Sequence, residues 1–237
     1  MNGSREVILG RIRRALIRPG AAQHQEPAGA ESVQSLPARV GSARLLEQFQ
    51  EQSARVGGEP RLCTGIEAAL TGIQDLVATA GYRRVAVSNH EICRRHRLAE
   101  ALSDLLPEVS LWSETGDANS NPARRRNSRQ LAQADLCLTG AEFLIAESGT
   151  VLIASTGASR QISLLPTAHL VLATPDQVYP DLAAVFEQLG TAAEEGRLPA
   201  ALTMITGPSR TADIEKVLIK GAHGPVRQLT WVIGEEL

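Results

Sequence analysis

Between residues 41 and 112, short apolar runs alternate with longer segments whose apolar positions recur every three or four residues. That alternation constrains the fold more than any other feature of the chain. A helix near 41–56, carrying Leu45, Leu46 and Phe49, ends at Gly57 and Gly58, residues that tolerate a left-handed helix terminus. A strand at 60–63, a helix at 66–79, a strand at Arg84–Ser88, a helix at 90–105 and a strand at Glu108–Trp112 follow. Parallel neighbours need crossovers of about a dozen residues or more, so this order predicts a largely parallel sheet covered by helices. From Asp135 the spacing contracts. The runs at 135–139, 143–146 and 150–155 lie too close for helical crossovers, and at least one pair must be antiparallel. A strand LVLA after His169, a helix at 180–190 punctuated by Pro180 and Gly190, and strands at 201–206, 216–219 and 228–233 complete the pattern. The expected architecture is α/β, a three-layer α/β/α sandwich with a mixed sheet.

The 237 residues divide into three parts. Residues 1–18 read as an N-terminal helical arm, with Ile8, Ile12, Ala15 and Leu16 on one side, and Pro19 and Gly20 stop it. Residues 19–37, rich in Pro, Gly, Ala and polar side chains, read as a linker, and 38–237 form the body. Aromatics are 3% of the chain, so the core is aliphatic and stacking platforms for single-stranded nucleic acid are missing. The net charge of −2 offers no basic excess for a polyanion. The run Arg124, Arg125, Arg126 and Arg129 reads as a solvated face, or else as a clamp for an anion or an acidic partner. No apolar stretch approaches the roughly eighteen residues that cross a membrane, and the start of the chain lacks a secretory pattern, so a cytoplasmic protein is expected. Cys63, Cys93 and Cys137 are three and scattered, neither a disulfide framework nor a four-thiolate cluster motif.

Three segments concentrate Gly, hydroxyl and ionisable residues near strand ends: TGAEFLIAESGT (139–150), RQISLLPTAH (160–169) and TGPSRTADIEKVLIKGAHGP (206–225). Glu147 reads as the solvated tip of a hairpin turn with Gly149 at positive φ, or as a carboxylate held for nucleophilic or base chemistry. Arg210 can grip a carboxylate or phosphate through two parallel N–H groups, with Ser209 and Thr211 adding donors. The same residues suit a helix start, where Ser209 or Thr211 would cap and Asp213 and Glu215 would sit in the first turn. His223, between Gly221 and Gly224, lies where the backbone can approach a ligand closely, and Arg160 and Ser163 join it as candidate ligand contacts. His169 is expected to hydrogen-bond within the fold.

His90, Glu91, Cys93 and His96 superficially suggest a zinc-protease helix. That motif needs histidines four apart, and position 94 is Arg. Arg94, Arg95 and Arg97 would repel a cation, so no metal site is expected. Neither GxGxxG nor GxxxxGK[ST] occurs.

The segments AESGTVLIAS, RQISLLPTAHLVL, TGPSRTADIE and GAHGP, in this order, resemble the LUD domain of the lactate utilisation protein C family (LutC/YkgG). The likeness reaches back through RLLEQFQEQSARVGGE, and Ser148 and Ala222 stand where the family more often has Thr and Val. The resemblance implies that 38–237 is a LUD domain, similar to the NagB/RpiA/CoA transferase-like fold. It further implies an accessory component of a three-protein system oxidising L-lactate to pyruvate, with no cofactor in this chain and iron–sulfur clusters in its partners. On this reading Ser209, Arg210 and His223 hold a small carboxylate or a partner group. The alternative is a stand-alone CoA-transferase- or isomerase-type enzyme using Glu147, since AESG resembles the Glu-containing turn of some CoA transferases. A lactate sensor is a third reading.

Overall fold

A computed structural model describes residues 42–113, 128–155, 161–194, 199, 201–211, 219–220 and 224–234. The arm and linker expected at 1–37 and the arginines 124–126 lie outside them. Arg39–Leu237 form one compact unit.

Helix α1 (Ser42–Arg55) buries Leu46, Phe49 and Ser53 at helical spacing. It stops at Gly57, where φ is 87° and the N–H groups of Gly57 and Gly58 return to the carbonyls of Ala54 and Ser53. Strand β1 (Glu59–Cys63) leads to α2 (Ile66–Ala80), which buries Ala69, Leu70, Gly72, Ile73 and Val77. Gly81, at φ 68°, closes α2 with N–H bonds to its last carbonyls.

After β2 (Arg84–Val87), the single helix expected at 90–105 is two, α3 (Glu91–Arg95) and α4 (Leu98–Leu105). The break lies at Arg97, in left-handed conformation at φ 48°. Ile92 and Cys93 of α3 and Leu98 and Leu102 of α4 are all buried. At about 100° per residue, one straight helix would turn Leu98 some 120° away from Ile92. The break rotates both apolar faces onto the sheet.

Strands β3 (Ser110–Ser113), β4 (Leu136–Gly140), β7 (Ala168–Ala173) and β12 (Arg227–Ile233) join β1 and β2 in a six-stranded parallel sheet, in the order β1-β12-β7-β4-β2-β3. The contracted spacing after Asp135 marks the chain leaving this sheet. Strands β5 (Phe143–Ile145), β6 (Thr150–Ser155), β8 (Val178–Tyr179) and β9 (Ala201–Ile205) build a second sheet, in which β5–β6 and β6–β9 are antiparallel and β5–β8 parallel. The α/β class holds, and the mixture of strand directions is carried by this second sheet. Short strands β10 (Arg210–Thr211) and β11 (Ile219–Lys220) pair antiparallel.

Alternate residues of the parallel strands face opposite ways. Leu136, Leu138, Leu170, Leu172, Leu229 and Trp231 pack with α2, α3 and α4. Val171, Ala173 and Val232 pack on the other side with Leu46 and Phe49 of α1 and with Leu144, Val151 and Ile153 of the second sheet. Helix α5 (Leu182–Glu194) covers that sheet's far face, where Val185 and Leu189 meet Ile145 and Leu152. Its first turn is capped by Asp181, whose carboxylate accepts the Ala184 N–H at 2.8 Å. Pro180 therefore precedes the cap, and the helix continues through Gly190 rather than ending there.

His169 lies on the side of the sheet facing α1, fully buried. Its Nδ1–H faces Gln228 Oε1 at 3.1 Å, and its Nε2 accepts from the Thr139 hydroxyl at 2.8 Å. It hydrogen-bonds within the fold, as expected. Burial outweighs the Gln228 bond and pulls its pKa down to about 4.

Candidate functional site

Residues 148–150 and 206–210 converge on the carboxyl end of α1. A side chain on Gly149, at φ 64°, would meet the backbone nitrogen of Ser53 at 2.2 Å, and one on Gly207, at φ 76°, would meet the carbonyl of Val56 at 2.5 Å. The Ser148 and Thr150 hydroxyls are 2.7 Å apart, as are those of Thr150 and Thr206. This chain of hydroxyls ties the turn after β5 to the loop after β9. Beside it the Ser209 N–H donates to the Pro225 carbonyl at 2.9 Å, and Gly224 packs on the Ser209 side chain.

The Arg210 guanidinium lies across Gly57, in space a β-carbon would occupy. A cation there faces the negative end of the α1 dipole. Glu147 is exposed on the turn between β5 and β6, with its N–H bonded to the Pro180 carbonyl at 2.9 Å. Ser163 is buried in the turn before β7, and Thr211 pairs with Ile219 through its backbone. Arg160 and His223 lie outside the described residues. The structure thus unites the Ser148, Thr150, Ser209 and Arg210 segments at the end of α1, which precedes the amino end of β1.

A second constellation lies at the opposite, carboxyl ends of the strands. From β2 the chain moves outward to β3, returns across the sheet to β4, and proceeds through β7 to β12. The direction of winding reverses between β2 and β4, and the crevice outside such a reversal is where parallel sheets hold ligands. His90 follows β2 there and Glu142 follows β4, with His90 Nε2 3.3 Å from Glu142 Oε1. The His90 ring rests on Gly140, where a β-carbon would fall 1.8 Å from Nδ1. Its Nδ1 accepts the Ile92 N–H at 3.3 Å and so caps α3. Gln177, beyond β7, accepts the Thr174 N–H at 2.7 Å and donates to the Ala141 carbonyl, bracing the segment that carries Glu142.

Sequence spacing does not pair these residues: His90 stands in an incomplete zinc pattern and Glu142 within a longer glycine- and hydroxyl-rich segment. His90 stands three positions after β2 and Glu142 two after β4, and their adjacency depends on strand order. Among the described residues no group of three or more His, Cys, Asp or Glu is placed to hold a metal ion. None of the described helices is long and apolar enough to cross a membrane.

Comparison with known proteins places these features in a family. The LUD domain model matches residues 46–232. A lactate utilization protein C from Halalkalibacterium halodurans is 37% identical over 122 residues, 51% of this chain and 50% of the relative. The chain thus spans about half the length of that relative, as it does of a second from Shouchella clausii. A lactate utilization protein C from Bacillus pumilus aligns over 98% of this chain and 97% of its own length at 29% identity. The one from Anoxybacillus flavithermus is 31% identical over 68% of each chain. In fold, the chain is similar to a DUF162 family protein from Deinococcus radiodurans, with a TM-score of 0.54 and 20% identity over 82% of this chain and 99% of the other. With a domain match over residues 46–232, one relative aligned over 98% of the chain and another 31% identical over 68% of each chain, the chain belongs to the LUD-domain lactate utilisation protein C family.

Proposed function

We propose that this chain is a cytoplasmic accessory component of a system oxidising L-lactate to pyruvate, in which iron–sulfur and cysteine-rich partner proteins carry the electrons. The observation behind this reading is the near end-to-end match to a relative named lactate utilization protein C. The thiols of this chain support it. Cys63, Cys93 and Cys137 are buried, and burial pushes each thiol up, Cys93 to about 11. Iron binds the thiolate, which such surroundings disfavour. Ser209, Arg210, Thr211 and His223, with Arg160 and Ser163, would contact a small carboxylate or a partner group.

The test is reconstitution. The tagged chain, purified from cells grown on L-lactate, should bring iron–sulfur proteins with it, and lactate-dependent dye reduction should fall when it is omitted from the mixture. Full-rate lactate oxidation by the isolated chain would overturn the reading. A second reading, acyl-CoA chemistry at Glu147, is favoured by one observation: that carboxylate is exposed on a turn anchored through its own N–H. A glutamyl thioester trapped by mass spectrometry, and absent in Glu147→Gln, would support it.

A further inference from the structure

We propose that His90 and Glu142 form a recognition site for the alcohol oxygen of a small ligand, at the carboxyl ends of β2 and β4. The inference rests on the lactate reading above only in its choice of probe.

The chemistry follows from the tautomer. Because the Ile92 N–H points at Nδ1, that nitrogen carries the lone pair and the ring proton sits on Nε2. Nε2–H and the Glu142 carboxylate therefore offer a donor and an acceptor side by side, 3.3 Å apart. The pair is open to the outside, its side chains 18% and 41% exposed. A hydroxyl group both accepts and donates. Its oxygen can sit about 2.8 Å from each partner, accepting from His90 and donating to Glu142. A ketone oxygen can only accept, so it loses the Glu142 bond and faces a negative charge. A ligand with no oxygen at that carbon gains nothing. The site therefore selects an alcohol over the corresponding ketone and over the deoxy compound.

Three features hold the pair in place for this task. Gly140 leaves room for the imidazole against the β4 backbone, and any larger residue would expel it. The cap on Ile92 fixes the ring's rotation and its tautomer. Gln177 fixes the backbone from which Glu142 projects. A histidine serving only as a helix cap would need neither the glycine beneath it nor the carboxylate beside it.

The experiment uses the isolated full chain, labelled at its five histidines, with the His90 resonance assigned by its loss in His90→Asn. Asparagine also caps helices well, so that variant keeps α3. Sodium L-lactate, pyruvate and propionate are titrated in turn at constant ionic strength. The expected result is a saturable shift of the His90 resonance with L-lactate, and at least about tenfold weaker binding of pyruvate and propionate. Glu142→Leu, which removes the acceptor oxygen at a partly exposed position, should bind L-lactate about tenfold more weakly with its amide spectrum otherwise unchanged. Equal responses to the three acids, no saturable shift, or wild-type affinity in a folded Glu142→Leu would each overturn the proposal. Because no partner protein is present, its failure is separable from a failure of co-purification or reconstitution.

Discussion

Acid should weaken this protein through His169, an imidazole held neutral by burial in the core. His169 is fully buried between Thr139 and Gln228, and its pKa is pulled down to about 4 from an ordinary value near 6.5. In the unfolded chain the same imidazole binds a proton as pH falls below about 6.5. Between those values the unfolded state holds more protons than the folded one, so stability falls with pH. The stabilisation is fully present above pH 6.5 and is lost as pH drops toward 4. At about 1.36 kcal/mol per pH unit, the whole interval is worth about 3.4 kcal/mol, of which about 2 kcal/mol is already gone at pH 5. His169→Gln supplies the control. Its amide can donate to Gln228 and accept from Thr139, but it does not titrate. Urea unfolding of both proteins between pH 7.5 and 4.5, with the transition slope checked for constancy, should show the wild type losing about 2 kcal/mol more than the variant by pH 5. Parallel pH profiles would refute the argument, as would a native His169 resonance that titrates near 6.5.

Other perturbations test the packing and the thiols. Gly149→Ala forces a β-carbon to within 2.2 Å of the Ser53 backbone at a φ of 64°, and should cost about 2–4 kcal/mol in urea unfolding. Gly190→Ala is the opposite case, since Gly190 lies inside α5 with nothing near its β-carbon, and the change should stabilise by about 0.5–1 kcal/mol. Glu59 and Arg227 meet at 2.8 Å and 2.5 Å with side chains 43% and 35% exposed, so Glu59→Gln should cost no more than about 1 kcal/mol, and less in 1 M salt. The buried cysteines should react slowly with a thiol reagent at pH 8 in the native protein, and all three should react at once in denaturant. Rapid native labelling of all three would contradict their burial.

The elements legible in the sequence were those fixed by local chemistry. Helix α1 has its left-handed glycine, Gly57, where the apolar stripe ends, and β5 and β6 are antiparallel because the turn between them is too short for anything else. What escaped was set by neighbours distant in the chain. No Gly or Pro marks the break at Arg97, since the sheet surface dictates it. Asp181 took the cap of α5, so Pro180 and Gly190 punctuate less than their types suggest. The division into two sheets was equally hidden, because the contraction after Asp135 shows that strands cannot all be parallel but not that β5 abandons the sheet containing β4.

The same limit explains why Ser209 and Arg210 on one side and the His90–Glu142 pair on the other fell at opposite ends of the sheet. Glycine and hydroxyl density marks places where a backbone must come close to something, and a sequence does not say whether that something is a ligand or another loop. Here the glycines answer individually. Gly149 and Gly207 face backbone atoms of Ser53 and Val56, so their smallness serves the seam between the second sheet and α1. Gly57 faces the guanidinium of Arg210, an arrangement that stabilises a helix end and still leaves the arginine exposed for an anion. Gly140 faces an imidazole whose free edge meets a carboxylate at the point where the winding of the sheet reverses. Of these positions, only Gly140 serves a titratable pair rather than a chain crossing or a helix end. That distinction, which rests on what each missing β-carbon would strike, is why the alcohol site is assigned to the His90–Glu142 pair and not to the richer motifs.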